Sequence, residues 1–155
     1  MNAAEVRDFE AGDQDEVRAL VLDGLREHWG ELDDTLNPDL RDITRSYGHG
    51  RTVVALVDGT VVGTGTVVPV DGDSAIVTAE IVRMAVAKLW RRSGIGRRIV
   101  DELVATAASW GFPKVTLETT STWPDAMAFY QSCGFAITRH AQGRFGPKTW
   151  FERPL

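Results

Sequence analysis

Apolar residues recur along this chain in two rhythms, and the changes from one to the other mark the elements. Glu5-Val6-Arg7-Asp8-Phe9 alternates and predicts a short strand over 5–9. Asp13 with Glu16 three residues later has the form of a capping box, and Val17, Leu20, Val21 and Leu25 follow at helical spacing. Asn37-Pro38 opens a second short helix over 38–47, with the proline in its first turn. Residues 52–57 are rich in β-branched side chains. Asp58-Gly59 suits a two-residue turn, and 61–70 return as the next strand. Gly63 and Gly65 fall on one face of that strand and leave room for something lying against it. Asp71-Gly72-Asp73 reads as a turn and 75–86 as a long strand. A helix follows from about 94 to 110, with Ile95, Ile99, Leu103, Ala107 and Trp110 on one face. Gly111 caps it and Pro113 prevents its continuation. Residues 115–119 form a strand, Trp123-Pro124-Asp125 opens a short helix that ends at Gly134, and 135–139 with 148–152 make a closing pair of strands.

The predicted order is β-α-α-β-β-β-α-β-α-β-β. It describes an α/β domain around a mixed, mostly antiparallel, twisted sheet of about seven strands. The unit from Ile81 to Thr119 is expected to be a right-handed parallel crossover. Short connections and the absence of repeats or linkers make residues 1–155 one domain.

Composition narrows the function. A formal net charge of −5 argues against a protein that coats nucleic acid and suits a cationic acceptor or plain solubility. The lone Cys133 forms no internal disulfide, and His28, His49 and His140 are scattered without metal-ligand spacing, so no metal is expected. Residues 1–9 carry acids and have no apolar core, and no apolar run approaches the ~20 residues that span a bilayer. The expected location is the cytoplasm, with no membrane partner.

The densest chemistry lies in Arg91-Arg92-Ser93-Gly94-Ile95-Gly96-Arg97-Arg98, between a strand and the start of a helix. The first turn of a helix has unpaired N–H groups and the positive end of the helix dipole. Glycines at 94 and 96 let a phosphate approach the backbone, and the arginines add attraction for its oxygens. The pattern is neither a P-loop, lacking Gly-Lys-Ser/Thr, nor a dinucleotide fingerprint, since position 99 is isoleucine. Taken alone, the turn fits a phosphate site or a capped helix start with solvated arginines.

These residues resemble the GNAT superfamily of N-acetyltransferases. Its pyrophosphate motif, Gln/Arg-x-x-Gly-x-Gly/Ala, is matched by Arg91-Arg92-Ser93-Gly94-Ile95-Gly96. The stretch Met84-Ala85-Val86 resembles the family strand that pairs with pantetheine. Residues 126–135, from Ala126 through Phe129-Tyr130 to Gly134-Phe135, resemble its Ala-x-x-Phe-Tyr-x-x-x-Gly-Phe motif. The element order is also the family's.

The resemblance implies acetyl-CoA as acyl donor, held by Met84, Ala85, Val86, Arg91, Arg92, Ser93, Gly94, Ile95, Gly96 and Arg97. Arg98 stands as the second choice to Arg97. It implies a small-molecule or peptide amine as acceptor, and it is compatible with a homodimer. Tyr130 would protonate the departing thiolate; its other reading is a core tyrosine beside Phe129. Glu80 would take the proton of the amine, and its other reading is a surface charge paired with Arg83 or a neighbour. Cys133 reads as a buried bystander. Glu27, Glu31, Asp33 and Asp34 would wall the acceptor site or form a solvated loop. The chain departs from the family at Trp123, where members often carry an asparagine; Ser121 and Thr122 are the polar residues beside it. A non-catalytic acyl-CoA sensor on the same fold is the alternative reading.

Overall fold

The computed structural model describes residues 4–33, 35–71, 77–144 and 146–155. Its strands are β1 (Glu5–Asp8), β2 (Arg51–Val57), β3 (Thr60–Asp71), β4 (Val77–Val86), β5 (Lys114–Thr120), β6 (Ala136–Gly143) and β7 (Gly146–Pro154). Its α-helices are α1 (Gln14–Trp29), α2 (Ile43–Tyr47), α3 (Ile95–Ser109) and α4 (Pro124–Ser132). Among the described residues the seven strands form one sheet in the order β1-β2-β3-β4-β5-β7-β6. Neighbours are antiparallel except β4 and β5, which are parallel and joined through α3.

Each face of the sheet has its own core. On one face Ile95, Ile99, Leu103 and Ala107 of α3 are buried against Val53, Ala55, Val67, Ile81, Val115 and Phe151. On the other, Val17, Val21 and Leu22 of α1 meet Leu40, Ile43, Val54, Leu56 and Val61. The glycines of β3 set how close α3 can come. A Cβ on Gly63 would stand 2.8 Å from the Ile99 Cδ1 atom, and one on Gly65 would stand 2.9 Å from the Ile99 Cγ2 atom and 3.0 Å from the Leu103 Cδ1 atom. The space these glycines leave is therefore filled by α3 and, at Gly65, also by Met84 of β4.

The structure departs from the periodicity in four places. Asp13 does not cap α1 forward through Glu16. Its carboxylate turns back to accept from the Glu10 N–H at 2.9 Å and from Arg7, while Glu16 accepts from the Val61 N–H at 3.1 Å. Both carboxylates are thus drawn to donors outside the helix. The predicted helix over 38–47 is a 3-10 turn, Pro38–Arg41, followed by α2; Asp42 interrupts it with φ −148°. Trp110 lies past the last turn of α3 and is 41% exposed, because Gly111 with φ 82° turns the chain away. The Lys88–Trp90 stretch before the glycine turn is a further 3-10 turn. The expected turn at Asp71-Gly72-Asp73, the first residues of the 75–86 strand and Asp34 fall wholly or partly outside the described residues.

The feature that shapes the rest is a β-bulge. Thr66 of β3 pairs with Val82 and Thr64 with Ala85, so Arg83 and Met84 together oppose Gly65. Arg83 takes φ 55°, the left-handed region that a non-glycine residue occupies at a cost. A bulge bends the strand that carries the extra residue. Here it bends β4 just beyond its contact with β5, and Met84 lies in the gap that Gly65 leaves.

Gly65→Ala should therefore crowd α3 and the bulge at once. The expected loss is about 1–3 kcal/mol of unfolding free energy, read by urea denaturation.

Candidate active site

β4 and β5 pair only at Ala79 with Val115 and Glu80 with Thr116. Beyond that point β4 runs on to Val86 and β5 to Thr120 with no further pairing between them. Two parallel strands that part in this way leave a wedge whose facing N–H and C=O groups lack a strand partner. Such an edge is a template for an extended, amide-bearing chain. Met84, Ala85 and Val86 lie on the β4 side of this slot, with the side chains of Met84 and Val86 packed on the core. Their backbone is what they can offer a ligand.

The slot leads to the glycine turn. Arg92 has φ 61° and Gly94 φ 89°, so the chain folds back on itself before α3 begins at Ile95. Ile95 is buried, and a Cβ on Gly96 would meet Phe129 of α4 at 3.1 Å and Val86 at 3.5 Å. The first N–H groups of α3 thus open at the junction of the β4 end and α4, with the dipole favouring an anion there.

The arginines of the turn divide their work. Arg91 donates to both carboxylate oxygens of Glu27 at 2.7 and 2.8 Å, and its Nε donates to the Val86 carbonyl at 3.0 Å. Its guanidinium is directed at α1 and β4 rather than at a phosphate position. Arg97 donates to the Ser132 carbonyl at 3.0 Å and Arg98 to the Ala4 carbonyl at 2.7 Å. The Ser93 hydroxyl bonds the Trp90 carbonyl. Arg92 has no such partner among the described residues, and it is the arginine of the four left to meet a ligand.

α1 reaches this site through its last turn, an arrangement with no signal in the sequence. Glu27 holds Arg91, and that bond keeps its carboxyl below the ordinary carboxylate range. The next residue, His28, stacks on Trp123 with ring centroids 4.1 Å apart, and Trp29 meets the same indole edge-on at 5.6 Å. Trp123 thus fastens α1 to the start of α4 and fills its place with packing rather than an amide contact. Asp33 bonds the N–H and hydroxyl of Thr35. Two of the four acids of the expected wall are therefore already engaged, Asp33 locally and Glu27 by the distant Arg91.

Tyr130 is half-buried in an aromatic nest, 5.2 Å from Phe129, 6.2 Å from Phe135 and 6.0 Å from Phe151 between ring centroids. Its hydroxyl has no hydrogen-bond partner among the described residues, and burial pushes its pKa well up. It is a phenol that stays protonated and can donate. Cys133, three residues on, is buried, and burial likewise pushes its thiol up, which suits a packing role.

Glu80 sits at the point where the strands part. Its neighbours Ala79 and Ile81 belong to the core under α3, so alternation places Glu80 on the opposite face from Tyr130. The pairing with Arg83 does not occur. Arg83 is held by Asp39, at 2.9 and 2.7 Å, and by Asn37 at 3.1 Å, while Tyr47 donates to the same Asp39. Burial pushes the Asp39 carboxyl up, yet the bonds from Arg83 and Tyr47 outweigh it and leave it below the ordinary range. Glu80 keeps a carboxylate without a hydrogen-bond partner among the described residues. Burial, and then the nearby charge of Glu118, push its pKa up, and Lys148 partly opposes them.

A family model described as Acetyltransferase (GNAT) family matches residues 15–135. The chain is 34% identical to N-acetyltransferase 8F1 of Rattus norvegicus over 106 residues, 66% of this chain and 48% of that protein, so it spans about half of that relative's length. It is 32% identical to the IAA acetyltransferase of Azospirillum brasilense over 146 residues, 92% of each chain. A solved acetyltransferase of the GNAT family from Staphylococcus aureus Mu50 superposes with a TM-score of 0.84 at 21% identity over 99% of both chains. A GNAT superfamily phosphinothricin acetyltransferase from Sinorhizobium meliloti, solved in complex with AcCoA, superposes with a TM-score of 0.75 at 23% identity over 98% of this chain and 88% of that one. The two superpositions show the fold.

Trp123→Ala removes the stack on His28 and the edge contact with Trp29. It is expected to cost about 1–2 kcal/mol of stability and to speed amide hydrogen exchange in the last turn of α1, while exchange in the middle of α3 keeps its wild-type rate.

Proposed function

The chain belongs to the acetyltransferase (GNAT) family, and on that premise we propose that it transfers an acetyl group from acetyl-CoA to a primary amine of a small molecule or peptide. The observation that carries the proposal is the slot between β4 and β5, closed at Glu80 and Thr116 and leading to the N-terminal turn of α3. Coenzyme A has the matching form, an extended arm with amides that ends in a pyrophosphate. In this reading the arm pairs with the β4 backbone at Met84, Ala85 and Val86. The pyrophosphate rests on the turn of Arg91, Arg92, Ser93, Gly94, Ile95, Gly96 and Arg97. Arg92 supplies charge to it, and Arg91 braces the turn through Glu27.

Two catalytic groups then serve from opposite faces of the sheet. An amine near its ordinary pKa of ~10.4 arrives protonated and must lose a proton before it attacks. Glu80, half-buried and unclaimed, takes that proton directly or through a water. The amine nitrogen bonds to the thioester carbon. An N–H of the β4 end faces the developing oxyanion, and the carbon–sulfur bond breaks. Tyr130 gives its proton to the departing sulfur, a role that its persistently protonated hydroxyl fits. Donor and acceptor meet within one complex, which turns a bimolecular step into an oriented one.

The test is release of coenzyme A from acetyl-CoA against a panel of amino acids, polyamines, aminoglycosides and short peptides. Wild type is expected to acetylate at least one member. Tyr130→Phe should lower kcat by about 100-fold with acetyl-CoA affinity unchanged by calorimetry. Tight acetyl-CoA binding without transfer to any amine would favour a sensor, and absence of binding would sink the proposal.

The pH dependence has a definite sign. The base works only when ionised, so kcat/KM falls as pH drops through the Glu80 pKa. That pKa is raised, so the acid limb should lie above the ordinary glutamate value of ~4.3 and should be absent from the residual rate of Glu80→Gln.

A further inference from the structure

Glu80 shares its face of the sheet with a second carboxylate. Its parallel partner on β5 is Thr116, and the next residue of β5 on that face is Glu118, one step further into the region where the strands part. Glu118 does not stand alone. Lys148 of β7 donates to its Oε1 atom at 2.8 Å. The backbone partner of Lys148 is Thr120, and that of Glu118 is Trp150, so the lysine leans diagonally back toward the vertex of the slot to make this bond.

The other charges around Glu80 are accounted for. Across β3 its partner is Val68, an apolar residue. Arg83, on its own strand, is matched by Asp39, to which Tyr47 also donates. Glu152, opposite Thr116 on β7, is held by Lys114 at 2.8 Å. α1 packs over β3 and the end of β4 with apolar residues such as Leu22 and Leu25. The Glu118–Lys148 pair is what faces Glu80 from the far wall of the slot.

We infer that Lys148 is a positioning residue of the reaction: by claiming Glu118 it leaves Glu80 as the ionised, unclaimed carboxylate at the point where β4 and β5 part. The inference rests on the reading of Glu80 as the base. Two carboxylates on adjacent strands repel, so the charge of Glu118 raises the proton affinity of Glu80, and a cation beside Glu118 opposes that effect. A base that already holds a proton cannot accept another. Lys148 removes that conflict by charge, from 68 residues away in sequence. The directions agree, since Glu118 raises the proton affinity of Glu80 and Lys148 lowers it.

The test reads Glu80 directly and needs no acceptor. Carbon-13 NMR of the side-chain carboxyls, with Glu80 assigned by its loss in Glu80→Gln, gives its titration midpoint in the purified chain. Lys148→Met should move the midpoint up and Glu118→Gln should move it down. Lys148→Arg, which keeps the charge, should leave it at the wild-type value. An unmoved midpoint in Lys148→Met or in Glu118→Gln overturns the inference. So does a Lys148→Arg midpoint that moves as far as Lys148→Met, because packing rather than charge would then be at work. The activity arm separates the two readings. If Glu80→Gln acetylates its best amine at the wild-type rate, the base assignment fails even where the NMR shifts appear. If Glu80→Gln is slow while the Lys148→Met midpoint stays put, the base stands and the role of Lys148 falls.

Discussion

The bend in β4 at Arg83 is the constraint on which this molecule turns. Without it, parallel pairing with β5 would continue past Glu80 and the sheet would be closed there. Here the bulge sets two residues against one with Arg83 in the left-handed region, at a cost of about 1–2 kcal/mol. The surroundings over-determine the conformation. Gly65 leaves room opposite the bulge, Met84 fills that room, and the Arg83 guanidinium is tied to Asp39 and Asn37. Strain is kept where tertiary contacts hold it and where function is proposed, a pairing that such sites often display.

The ion pairs act more as locators than as sources of stability. Arg83 with Asp39 is partly shielded and docks the segment before α2 on the sheet, while Arg91 with Glu27 is more exposed and of modest energy. What the second pair does is geometric. It sets the last turn of α1 beside the glycine turn, and the Trp123 stack then carries that turn across to α4. Three elements distant in sequence share one rim, so Trp123 and Glu27 both bear on the position of the glycine turn.

A slot that passes between two strands has two faces, and the proposed chemistry uses both. Tyr130 belongs to the aromatic core under α4, where burial keeps its proton in place. Glu80 belongs to the opposite face, where β5 and β7 present Glu118 and Lys148. In the proposed mechanism the sheet separates the acid from the base, each in its own surroundings. The apolar side supports the neutral phenol, and on the charged side Lys148 partly offsets the burial and the Glu118 charge that raise the Glu80 pKa.

Much of the fold was legible because its signals are local. Hydrophobic period distinguishes strand from helix within a few residues, and Asp58-Gly59, Gly111 and Gly134 adopt the positive φ that their turns demand. The glycine turn was legible for the same reason, whereas the Phe129-Tyr130 pair stood out only through its resemblance to a family motif and otherwise read as core packing. Register and long-range pairing could not be read in this way. The bulge depends on which β3 residue faces Arg83, and Asp13 turned away from its own helix because Arg7 stood six residues behind it. Arg91 looks like a phosphate ligand until Glu27, 64 residues distant, takes it. Lys148 looks like a surface lysine until the order β5-β7-β6 brings it to Glu118. Local sequence carried most of the elements and the glycine turn, whose causes lie within a few bonds of the backbone, though not the break at Asp42 or the 3-10 turn at Lys88–Trp90. The tertiary structure decided which charges meet and which are left over, because a charge takes the partner that the assembled sheet sets beside it.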